Sequence, residues 1–128
     1  MSPRVIQRCL ALIFLLLGGW CLLFPGVVEE LSLRPDYRHN DATTNLLLGC
    51  FGAQAMLCGT VIWFAEFRAV TFLVFGIVGS VPFFVFNWYF LFQREMFTLW
   101  MLLDFAGNLG ILACGIAGWR LMRREQAG

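Results

Sequence analysis

The chain has 128 residues, a length that suits a single domain. Hydrophobic residues make up 60% of it and charged residues 13%, the latter about half the usual share of roughly 25%. So short a chain is mostly surface and cannot hide that much apolar area in a soluble globule, and a net charge of +1 supplies no basic face. A soluble enzyme, a disordered chain and a nucleic-acid binder are excluded, which leaves an integral membrane protein whose first partner is the lipid bilayer.

Four apolar runs reach the ~20 helical residues needed to cross a hydrocarbon core of about 30 Å. The first, 9–28, follows Arg4 and Arg8 in the manner of a signal peptide. Its end, Leu22-Leu23-Phe24-Pro25-Gly26-Val27-Val28, offers no small-x-small cleavage site, so it is predicted to remain as a helix that Pro25-Gly26 kinks or ends near the membrane surface. A polar loop from Glu29 to Ala42 follows, with Asn40 or Asp41 placed to cap the second helix. The only histidine, His39, lies here among Glu29, Glu30, Asp36 and Asp41. One histidine with scattered carboxylates is expected to form a solvated loop, not a metal site, and no motif implies a cofactor.

The second span, 43–64, places Gln54 on a face with Cys50 and Cys58, and its small residues Gly49, Gly52 and Gly59 offer a close-approach surface to a neighbouring helix. The third, 69–92, carries Gly76, Ser80, Phe83 and Asn87 on one stripe. Pro82 should free the carbonyl of Val78 and bend this helix. The fourth, 97–119, carries Asp104 and Asn108 four residues apart on one face with Gly107, Ile111 and Gly115. Leu102, Phe105 and Leu109 oppose them and are expected to face lipid. The four-residue links 65–68 and 93–96 predict that consecutive helices are antiparallel and adjacent. The expected fold is therefore all-α: a four-transmembrane-helix bundle forming one domain.

Orientation follows from arginine. Arg4, Arg8, Arg68, Arg120, Arg123 and Arg124 would share one side and Arg34, Arg38 and Arg94 the other, which predicts cytoplasmic N- and C-termini. Trp63 and Trp119 then fall at the inner interface, and Trp88, Tyr89 and Trp100 at the outer one. All nine basic residues are arginine, a usage expected of a GC-rich bacterial genome and hence of an inner membrane. The five cysteines lie in apolar stretches without a C-x-x-C pair and read as small buried hydrophobes.

Polar groups inside a bilayer are costly unless paired, so they are the informative positions. At about 1.5 Å per residue, Asp104 and Asn87 should meet in the outer third, and Asn108 and Gln54 at the midplane. Hydrogen bonds that fix helix register, worth about 0.6 kcal/mol each, account for the amides. An ionisable residue at such depth is a functional candidate in its own right. With no Arg or Lys at its depth, Asp104 is expected to be protonated and to donate a hydrogen bond.

These residues support three readings. The first is a non-enzymatic component that binds a partner protein, a second copy of itself or an apolar ligand. The second is a transporter or channel subunit with Asp104 as a proton or cation site and Asn87, Asn108 and Gln54 along the path. The third is an intramembrane enzyme acting on lipid or quinone, for which the spans supply no histidine, second acid or activated cysteine.

Arg8 before the first helix, Leu23-Phe24-Pro25 at its end, the run Gly49-Cys50-Phe51-Gly52-Ala53-Gln54 leading to Gly59, and a polar residue in the fourth helix together resemble the DoxX-like small four-helix membrane proteins. In such relatives the second helix often carries an acid, where Gln54 stands here. The resemblance implies an accessory role, sometimes beside redox complexes of the membrane.

Overall fold

A computed structural model describes all 128 residues. The chain is all-helical, with one isolated bridge, Leu33 to Phe97, as its only β-type pairing. Four helices are long and apolar enough to cross a membrane: Pro3–Leu23, Ala42–Phe64, Ala69–Gln93 and Met101–Ala127.

Helix α1, Pro3–Leu23, begins six residues earlier than the apolar run suggests. Proline at its start has no N–H to lose there, and the arginines of the extra turns are accommodated at the end of the span. Arg8 lies over the ring of Trp63, 5.2 Å from its centroid. The helix ends at Leu23 because Phe24 leaves helical geometry (φ −132°, ψ 55°) and Pro25 cannot donate to the preceding turn. Pro25 instead opens a second helix, α2, Pro25–Ser32, so the predicted loop from Glu29 is helical in its first part. A single 3-10 turn, Pro35–Tyr37, leads towards α3, Ala42–Phe64. Of the two capping candidates Asp41 is the cap: its Oδ1 accepts from the Thr44 N–H at 2.7 Å.

The third span is broken. It consists of α4, Ala69–Val78, and α5, Val81–Trp88, followed by a π-helical turn, Tyr89–Gln93. Pro82 supplies no N–H for the Val78 carbonyl, and the Ser80 hydroxyl donates to the carbonyl of Gly76, so the backbone turns at Gly79-Ser80. Helix α6, Met101–Ala127, starts four residues later than expected and runs eight further. Phe97 and Thr98 are withheld from it by pairing with the other half of the chain: Thr98 N–H donates to the Ser32 carbonyl at 2.8 Å, and Arg34 N–H to that of Met96 at 2.9 Å.

Helix α3 packs on α1, α1 on α6, and α4 with α5 on α6. Helices α3 and α4 share no packed seam, although four residues join them. The short link ties their ends together, but it does not make the two spans neighbours along their length. What pairs the helices is contact between backbones. A Cβ at Gly52 would stand 2.4 Å from the Leu22 nitrogen and 2.5 Å from the Gly18 oxygen, and one at Gly59 would stand 2.9 Å from the Ala11 oxygen. Gly115 meets Gly76 in the same way, a Cβ there standing 2.5 Å from the Gly76 Cα. Gly49, expected on the same surface as Gly52 and Gly59, has open space around it.

The core lies in the half of the bundle that holds the chain termini. Leu10 and Ala11 of α1 meet Ile62 of α3 and Ile111 of α6, with Phe67 and Phe75 packed on them. Buried Gln7 donates to the carbonyls of Ile62 and Ala65, closing the end of α3 where the helix leaves carbonyls without partners.

Gly52→Val should force α1 from α3 and cost about 1–3 kcal/mol, whereas Gly49→Ala should be silent; unfolding titrations of the two variants in detergent compare them. The Thr44 N–H, then the Thr44 side chain, hold the Asp41 carboxyl below its ordinary value of 3.8. A group held low in the folded state contributes fully above its ordinary value and is lost as pH falls through the folded one. Acidification below 3.8 should therefore fray the start of α3 in the wild type, and Asp41→Asn should remove that pH dependence of the helical signal in circular dichroism.

Candidate ligand cavity

Beyond the packed half, the four spans part and enclose a cavity of about 590 Å³, within the size range of small-molecule sites. Its walls are mostly apolar. Ile13, Phe14 and Leu17 come from α1, Leu48 and Phe51 from α3, Phe83 and Phe86 from α5. The water-side cover is built from α2 and the paired connections, through Val28, Leu31, Leu33, Phe97 and Trp100. Arg34 reinforces this cover, donating to the Phe97 carbonyl and pairing with Glu95 at 3.4 Å across exposed surface.

All four polar residues singled out in the sequence line this cavity. Three are bonded to one another. Asn87 Nδ2 and Asn108 Nδ2 each donate to Asp104 Oδ2 at 2.9 Å, and Asn87 Nδ2 also donates to the Phe83 carbonyl at 3.0 Å. The expected meeting of Asp104 with Asn87 is present, and both amides donate to Asp104 Oδ2. Asn108 does not reach Gln54. It lies one turn beyond Asp104 on α6, and an i,i+4 partner on its own helix is nearer than a residue across the cavity. Gln54 stands exposed on α3, in the opposite wall, with no hydrogen bond.

Glu29 joins the site unannounced. It was expected in a solvated loop around His39, yet it is 1% exposed and stands in the cavity wall. Its Oε1 accepts from the backbone N–H groups of His39 at 2.7 Å and Asn40 at 3.1 Å. The connection therefore wraps around a buried carboxylate, and Asn40 takes a left-handed conformation (φ 48°) to complete the turn. A sequence signal for this helix existed in Pro25, which suits the first helical position. No three of the histidine, cysteine and acidic side chains converge on a point.

The cavity is open on one side. Since α3 and α5 share no packed seam, the gap between them is bridged by aromatic rings, Phe51 and Phe83, with centroids 6.4 Å apart. Phe51, Gln54 and Phe86 are exposed along this gap, which in a bilayer faces lipid.

Removing the shared acceptor should be felt in the fold. Asp104→Leu takes the acceptor from two buried amides, of which only Asn87 keeps another in the Phe83 carbonyl, and should destabilise the bundle by about 1–3 kcal/mol, while Asp104→Asn, which keeps an acceptor, should be nearly silent. Thermal unfolding of the two variants in detergent measures the difference.

No protein-family profile matches the chain, and no curated protein or solved structure is similar to it.

Proposed function

We propose that the protein is a non-enzymatic component of a bacterial inner membrane that holds an apolar ligand between its helices. The observation that carries this reading is the cavity of about 590 Å³ with apolar walls, a polar cluster at Asp104 and an opening between α3 and α5. A site of this shape favours a molecule that is mostly hydrocarbon and has one polar end. The resemblance to DoxX-like proteins agrees with an accessory role, in which such a ligand is presented to a membrane-protein partner.

In this reading the helices alternate in direction and both termini are cytoplasmic. The excess of arginine at the termini and the link 65–68 supports that orientation. So does the contact of Gln7 with the carbonyls of Ile62 and Ala65 at one end, set against the pairing of Arg34 with Met96 at the other. A tag on the C-terminus should be accessible only after the inner face is exposed, and an external tag overturns the orientation.

Purification in mild detergent followed by lipid extraction tests the ligand. The wild-type protein should carry one apolar molecule per chain. Leu48→Trp, which fills the cavity from α3, should lose it without a lower unfolding temperature. A wild-type protein that yields no bound molecule overturns the proposal.

A further inference from the structure

The acidic groups of the cavity have no basic counterpart. Both side-chain N–H groups of Asn87 are spent, on Asp104 and on the Phe83 carbonyl, and one of the two of Asn108 is spent on Asp104. Donors remain at Asn108 and Gln54, and three acceptors are without a partner as well. Asp104 Oδ1 takes no hydrogen bond, since both amides end on Oδ2. Glu29 Oε2 and Asn87 Oδ1 are buried with no partner, in side chains 1% and 4% exposed. Two of these three groups are carboxyls, and no Arg, Lys or His lines the cavity to balance them. A buried carboxylate without a counter-charge is costly, and a buried acceptor without a donor adds to the cost.

We propose that the ligand is a lipophilic amine bound in its protonated form. This rests on the reading of the cavity as an apolar-ligand site and names the chemistry of the ligand's polar end. An ammonium group supplies an N–H donor for Asp104 Oδ1 and a positive charge for the carboxyls. The rings of Trp20 and Trp100 in the walls also favour a cation over a neutral group. The hydrocarbon part lies along Phe51, Phe83 and Leu48, towards the opening. Ligands of other classes fit less well. A quinone presents carbonyl oxygens, which the free N–H groups of Asn108 and Gln54 can serve, but it leaves both carboxyls without a counter-charge. A fatty acid brings a third carboxylate to two that lack a counter-charge.

Dodecylamine, dodecanol and dodecanoate share a tail and differ in the polar end. Each is added to the detergent-solubilised protein, and the retained adduct is counted by native mass spectrometry. The amine should bind the wild type about tenfold more tightly than the alcohol or the carboxylate, the worth of a charge-assisted hydrogen bond. The double variant Glu29→Gln, Asp104→Asn should reduce amine binding to the level of the alcohol and leave the alcohol unchanged. Leu48→Trp should lower all three. Equal binding of amine and alcohol by the wild type, or amine binding that survives the double substitution, overturns the amine while the cavity reading stands. Failure of all three probes to bind overturns both. If the double variant does not fold, the wild-type ranking of the three probes decides alone.

Discussion

Backbone-to-backbone contact at glycine is the constraint on which the rest of this bundle depends. Within a bilayer, an apolar side chain gains little by leaving lipid for a neighbouring helix, so helices associate where their backbones come close enough for dense packing. Here the approach is made twice, between α1 and α3 at Gly18, Gly52 and Gly59, and between α4 and α6 at Gly76 and Gly115. Helix α1 then joins the two pairs through α6. No third seam joins α3 to α5. The cavity is the space left because two tight pairs are joined along one side only.

The same arrangement explains where the polar groups sit. Helix α6 belongs to both halves, since it packs on α1 and on the third span, and it carries Asp104 and Asn108 at the level where the halves part. The break at Gly79-Ser80 begins α5 as a separate segment, and α5 brings Asn87 to Asp104. On the water side the connection after α2 is organised by Glu29, whose carboxylate takes two backbone N–H groups, and is then stitched to the 93–100 connection through Leu33 and Phe97. A membrane protein must satisfy such irregular backbone within itself. Side-chain carboxylate and bridge do so here, and together they form the cover of the cavity.

Much of this was legible in the sequence, for identifiable reasons. Span number and helical class follow from hydropathy and length. The partnership of Asp104 with Asn87 follows from helical rise counted from the span ends, because both residues lie a similar distance from one short connection. Gly52 and Gly59, seven residues apart, were legible as a close-approach face, but Gly49 lies one turn beyond Gly52, where α1 has ended at Leu23 and nothing stands opposite. Depth alone could not distinguish Gln54 from Asp104 as the partner of Asn108, since depth says nothing about which helix lies across a gap. The adjacency of spans two and three was misjudged because a short link constrains two ends and not two lengths. Glu29 was missed because its charge was read as solvent exposure, when the proline four residues before it had already begun a helix that turned the carboxylate inward.

The opening between α3 and α5 determines how the occupant's concentration should be reckoned. Under the proposed ligand-binding role, a site roofed by α2 and the Leu33–Phe97 bridge, and open between two helices, would exchange its occupant with the membrane phase. Its occupancy then follows the mole fraction of ligand among the lipids, and water enters only as the phase from which ligand partitions. An apparent dissociation constant expressed per volume of buffer would rise in proportion to the amount of lipid supplied, while one expressed per lipid would stay constant. For the proposed ligand, the relevant affinity would be a two-dimensional one.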